Sequence, residues 1–153
     1  MAAILGNAPT TSPRDLGDQA VRVKAVKGTA DPIATLQAAG VKLVIDHFCH
    51  PQRGGAACPG FQAMLRAVDN GRTWVKLSAG YRLESPQVAQ DCARALLAHA
   101  GPERLLWGSD WPFAAFEDSM RYEHAIASFR QWVPDANMRR IISGETAFRL
   151  YFA

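Results

Sequence analysis

Three short apolar runs do most to limit what this chain can become. Val41–Asp46 (VKLVID), Thr73–Ser78 (TWVKLS) and Arg104–Gly108 (RLLWG) begin at residues 41, 73 and 104, so the intervals are 32 and then 31 residues. Each run is rich in branched or aromatic side chains and bounded by turn residues, the pattern of a strand buried on both faces. Each interval also holds a helical pattern. A strand, a crossover helix and a second parallel strand need about that much chain, and such crossovers are right-handed. The period therefore predicts α/β organisation around a parallel sheet.

The intervening helices are marked at their ends. Asp31-Pro32 opens the first and Gly40 closes it, with a capping carboxylate, a proline at the first helical position and a left-handed glycine. A second runs from about Pro59 to Asn70, with Phe61, Met64, Leu65 and Val68 on one face and Gly71 after it. Ser85-Pro86 starts the third, Val88, Cys92, Ala95 and Leu96 form its stripe, and Gly101-Pro102 stops it. Beyond Gly108 no comparable strand follows. Tyr122, Ile126, Phe129 and Val133 share a face up to Pro134; Asp135 caps a segment carrying Met138, Ile141 and Ile142; Ser143 caps a last helix carrying Ala147, Leu150 and Tyr151. A closing strand followed only by helices is how a barrel ends. Residues 1–30 read as an irregular segment in which Val21–Val26 (VRVKAV) could add one more strand, and 31–153 read as the folded unit.

Composition matters mainly for what it excludes. At 153 residues one domain is expected. No apolar run approaches the roughly 18–20 residues that span a bilayer, and a net charge of +3 without a block of five basic residues gives no nucleic-acid arm. Cys49, Cys58 and Cys92 form an odd set without CxxC spacing, so reduced thiols and a cytoplasmic location are expected.

In parallel α/β folds ligands bind at the carboxyl ends of the strands. Those ends are polar here: Asp46-His47-Phe48-Cys49-His50, Ser78-Ala79-Gly80-Tyr81-Arg82 and Gly108-Ser109-Asp110-Trp111-Pro112. Asp110 follows a Gly-Ser pair that lets backbone approach a ligand; its carboxylate could take a proton from water or bind a cation, or equally cap a turn. His47 could polarise a carbonyl, hold a proton or ligate a metal; the plainer alternative is a ring satisfied by Asp46 or by backbone. His50, three residues on, makes a His-x-x-His pair around Cys49 without the third ligand that zinc needs nearby. Arg82 could clamp a carboxylate or simply be a solvated loop arginine. Lys76 reads as a snorkelling or barrel-bottom lysine, and His99 and His124 as bystanders within helices.

Taken together, VIDHF (44–48), WVKLSAGYR (74–82), RLLWGSDWP (104–112) and SGETAFRLY (143–151) resemble the amidohydrolase superfamily, in particular the amidohydrolase-related branch that includes 2-pyrone-4,6-dicarboxylate lactonases. The resemblance covers about residues 31–153. It implies a partial (β/α)8 TIM barrel: the C-terminal three to four βα units plus terminal helices. It also implies a hydrolase acting on a lactone or similar carbonyl compound, small and anionic. Asp110 then matches the general base, His47 the mid-barrel histidine that polarises the carbonyl, and Arg82 a substrate-carboxylate ligand, with Tyr81, His50 and Trp111 as further substrate-binding candidates. The cofactor implied is either one divalent metal, zinc foremost, on His47 and Asp110, or none. Two departures stand out: no histidine precedes His47, where the family has a His-x-His pair on its first strand, and His50 stands where lactonase-like members carry arginine. A complete barrel also needs about 250 residues. The alternatives are a catalytically silent fragment that self-associates or pairs with another half barrel through unpaired strand edges, and a small α/β binding domain.

Overall fold

The computed structural model describes residues 20–23 and 30–153. Four parallel strands, β1 (Ala20–Val23), β2 (Lys42–Ile45), β3 (Thr73–Leu77) and β4 (Leu105–Trp107), form one sheet in chain order. Val23 stands opposite Ile45, Ile45 opposite Val75, and Val75 opposite Leu105. Helices α1 (Ala30–Ala38), α2 (Pro59–Val68) and α3 (Pro86–Ala100) make the crossovers. Chain-order parallel pairing is what repeated crossovers of one hand produce. The start of VRVKAV is thus a strand; the rest of that run beyond Val23, and the irregular segment expected over 1–19, lie outside the described residues.

Alternation along the strands gives the sheet two different faces. Leu43, Ile45, Val75, Leu77 and Leu105 turn into a core completed by Ile33, Phe61, Met64, Cys92 and Leu96 from the helices, all 3% exposed or less. Burying one such side chain contributes roughly 1.5–3 kcal/mol, so this face is the main source of stability. Val44 and Leu106 turn the other way, against Leu150 near the chain end, with Trp74 and Ala147 beside them. On that same face, nearer the strand tips, Lys76 Nζ donates to Asp46 Oδ1 at 2.7 Å, and Asp46 is buried. Lys76 is therefore neither snorkelling nor at the barrel bottom. Its stem lies over Gly108, where a Cβ would stand 3.2 Å from Lys76 Cδ, so that glycine makes room for a lysine.

Most helix ends fall where local chemistry sets them. Ser85 Oγ accepts from the Val88 N–H at 3.2 Å, and Gly40 (φ +71°) and Gly71 (φ +76°) take the left-handed positions after α1 and α2. Asp31 lies inside α1 rather than ahead of it, because the helix starts at Ala30. Helix α4 (Tyr122–Trp132) buries Ala125, Phe129 and Trp132, whereas Tyr122, expected on the buried stripe, is half exposed. Asp135 caps α5 (Ala136–Arg140), its Oδ1 accepting from the Met138 N–H at 2.7 Å. Ser143 caps nothing. The helix runs on through one π turn, Ile141–Glu145, into α6 (Thr146–Phe152), and Ser143 Oγ donates back to the Arg139 carbonyl at 2.8 Å. A hydroxyl bonded to the carbonyl four residues earlier is compatible with helix and bends it rather than starting one. Cys49, Cys58 and Cys92 are free and buried. No helix among the described residues is long and apolar enough to cross a membrane.

Candidate active site

The tips of β2, β3 and β4 turn through residues with left-handed backbone: His47 (φ +54°), Ala79 (φ +54°) and Asp110 (φ +68°). For an L-residue this conformation costs roughly 1–2 kcal/mol, so packing around it must hold it in place. After β2 it persists through His47, Phe48, Cys49 and His50, with φ from 46° to 62°. The result is one left-handed turn, closed by Cys49 N–H to the Asp46 carbonyl at 3.0 Å and His50 N–H to the His47 carbonyl at 2.7 Å. Phe48 fastens it, fully buried with its ring edge-on to Trp132 at 5.0 Å. Trp132 also lies against Gly80, where a Cβ would come within 2.3 Å of the indole. The last residue of α4 is thus wedged between the β2 and β3 tips, and this sets the direction in which His47 points.

The ring of His47 is held from below. Its Nδ1 lies 2.8 Å from Ser78 Oγ, a buried hydroxyl on the β3 tip, while Asp46 Oδ1 is paired with Lys76 instead. With the serine hydroxyl donating to Nδ1, the ring proton sits on Nε2, which faces Asp110 Oδ1 at 3.6 Å. That is too long for a hydrogen bond, so the two groups converge on one point without being joined.

Asp110 is clamped on its other oxygen. Oδ2 accepts from Tyr81 OH at 2.6 Å and from Arg82 Nε at 2.9 Å. Arg82 Nη2 donates to the Ala114 carbonyl at 2.8 Å, and the guanidinium lies between the Tyr81 ring at 5.0 Å and the Phe116 ring at 4.9 Å. It is therefore not a solvated loop arginine. Burial pushes the Asp110 carboxyl up, but the hydrogen bonds from Tyr81 and Arg82, with the charge of Arg82, outweigh it and hold the group below its ordinary value. Burial first, and then the bond to Asp110, push the Tyr81 phenol up to about 12, so it stays a proton donor. Asp110 does not cap a turn with its side chain; it is the backbone carbonyl that accepts from Phe113 N–H, at 2.8 Å.

These groups meet in a cleft of about 320 Å³ lined by His47, His50, Arg82, Asp110, Trp111, Pro112 and Ala114. Five of the six sequence candidates line it, and the sixth, Tyr81, acts on it through Asp110. Trp111 forms the rim, 73% exposed, ahead of a cis peptide to Pro112. His99 is elsewhere, tying α3 to the end of α2 through Asp69 at 2.8 Å, and His124 is exposed on α4. The sequence reading gave no role to Ser78, Gly80 or Trp132. Only a bulky aromatic at a helix end, just before Pro134, could have pointed to the last.

The described residues do not by themselves fit a divalent cation. Asp110 Oδ2 is already engaged twice, the Arg82 guanidinium stands beside it, and no cluster of three or more His, Cys, Asp or Glu among the described residues could hold a metal.

A family model for amidohydrolases matches residues 33–153. The chain belongs to the amidohydrolase family. Among curated relatives, the chain is 29% identical to 4-sulfomuconolactone hydrolase of Rhizobium radiobacter, over 83% of its own length and 44% of the relative's. It is 30% identical to D-galactarolactone isomerase of Agrobacterium fabrum, over 80% and 46%. Among solved structures it superposes on a Pseudomonas putida protein assigned as a 2-pyrone-4,6-dicarboxylic acid hydrolase, with a TM-score of 0.78, 32% identity, and coverage of 90% of this chain and 52% of the other. The chain thus spans about half the length of these relatives.

Proposed function

We propose that the chain is the C-terminal part of a (β/α)8 barrel that opens lactones, with Asp110 as base and His47 as the group that polarises the carbonyl. One observation carries this reading: His47 Nε2 and Asp110 Oδ1, brought from different strands, face each other at 3.6 Å in a cleft at the carboxyl ends of a parallel sheet. Asp110 takes a proton from water as the water oxygen bonds to the carbonyl carbon. The charge that develops on the carbonyl oxygen is met by the N–H of His47 Nε2. When the ring C–O bond breaks, the departing oxygen takes the proton from Asp110, and the product is a hydroxy acid. Arg82 gives the cleft a positive group suited to a small anionic substrate, and His50 lines it beside Arg82. The relatives named above, two of them hydrolases of cyclic esters and one a lactone isomerase, support a lactone as the common substrate class.

The test is acid release from a panel of lactones, followed by pH-stat. Asp110→Asn should lower kcat by about 100-fold or more, the usual worth of a positioned general base. Undiminished hydrolysis in that variant would remove Asp110 from the role.

A second reading rests on the sheet itself. Among the described residues β1 and β4 are each hydrogen-bonded on one side only. On this reading the chain is a half barrel without catalysis of its own, and those edges pair with a second copy.

A further inference from the structure

We infer that Asp110 is latched by Arg82 and Tyr81 until a carboxylate on the substrate takes its place on Arg82, so that an anionic lactone unmasks the base that attacks it. The inference rests on the lactonase reading and adds to it a reason why the substrate must carry a charge.

The geometry points this way from both partners. On Asp110, one oxygen takes both donors, at 2.6 Å from Tyr81 and 2.9 Å from Arg82, and a carboxylate so engaged is a poor proton acceptor. On Arg82, the edge formed by Nε and Nη2, which suits a bidentate carboxylate, is already divided between Asp110 and the Ala114 carbonyl. The guanidinium cannot swing out to a ligand, because Tyr81 and Phe116 stack on it at 5.0 and 4.9 Å. An incoming carboxylate that takes this edge must come to Arg82 and displace what is there. Exchange of one carboxylate for another leaves Arg82 paired throughout, so the step does not strand a charge. Once Arg82 is taken by that carboxylate, Oδ2 keeps only the bond from Tyr81, and Asp110 Oδ1, which already faces His47 in the cleft, becomes the better proton acceptor. A neutral lactone offers no such exchange and meets a base still tied to its donors.

The test uses the intact chain, malonate as a free dicarboxylate, and dihydrocoumarin as a neutral lactone. Malonate in trans should raise dihydrocoumarin turnover by about 5- to 150-fold, the usual span of coupling between two ligands, and should do nothing in Arg82→Met. A rate that malonate leaves unchanged, or only lowers, overturns the latch. Calorimetry gives an arm that needs no turnover. In about 0.5 M NaCl, where charges more than roughly 4 Å apart are screened, Asp110→Asn should still bind malonate about tenfold or more tightly than the parent, because an internal competitor is gone. If that gain disappears at high salt, only general repulsion was relieved and the latch is refuted. Failure of every lactone, neutral or anionic, to turn over would sink the lactonase reading, and the calorimetric arm would still decide whether Asp110 and a free carboxylate compete for Arg82.

Discussion

Two donors on a single carboxylate oxygen make the ionisation of Asp110 part of the folding equilibrium. Its pKa in the folded chain is held below the unfolded value of about 3.9, so these contacts add stability that is fully present above that pH and is lost as pH falls through the folded value. Urea unfolding of the protein and of Asp110→Asn should therefore differ by a constant amount from pH 7 down to about pH 5 and converge below about pH 4. A difference that stays flat into acid would mean the clamp does not favour the ionised form. His47 makes a matching case on its Nδ1 side. Ser78→Ala removes the hydrogen bond at its Nδ1, and a neutral bond of about 1 kcal/mol that orients the ring corresponds to a fall in kcat of roughly fivefold, with KM little changed. Equal losses in kcat/KM and kcat from hydrolysis rates at several lactone concentrations would support it; a change in KM alone would not. Asp110 and His47 were legible in the sequence because each lies within three residues of the end of a strand, and strand tips are where such folds present side chains. Ser78 was visible as a tip residue but not as the partner of His47, since that depends on how the β2 tip leans over β3, a matter of tertiary packing across 31 residues.

At the level of elements, the left-handed turn after β2 and the end of α4 form one unit. The strained backbone of His47 to His50 is held because Phe48 is buried against Trp132, and Trp132 is admitted because position 80 has no side chain. Gly80→Ala should destabilise the protein by about 1–3 kcal/mol, the usual effect of overpacking, as measured by denaturant unfolding. Trp132→Leu in the same chain should recover part of the loss, since the clash is with the indole. If Gly80→Ala is neutral, the wedge does not exist as described. Helix caps such as Ser85 and Asp135 could be read directly because each is settled within a few residues. The buried face of α4 could be read only in part: Phe129 and Val133 are buried as expected, but Trp132 fills the gap at Gly80, and nothing local to the helix records that gap. The π turn at Ile141–Glu145 escaped for a similar reason, because a serine and a glycine in succession look like a cap wherever the flanking helices are not known to be continuous.

For the molecule as a whole, the regular spacing of apolar runs pointed to the parallel sheet, since crossovers of one length and hand join parallel strands. Whether the sheet closes was not legible, because closure depends on strands beyond those described. The two outer strands are the point at which the readings part. Light scattering on the purified chain should give an assembly of two or more copies if β1 and β4 pair with another chain, and a stable monomer over a wide concentration range would exclude that pairing. The contact between Phe48 and Trp132 also bears on how the protein is made. A ribosome delivers Phe48 long before Trp132, so a growing chain can lay down β2 and β3 and still have no brace for the turn that aims His47. The turn that aims His47 is therefore braced only once the far end of α4 has emerged.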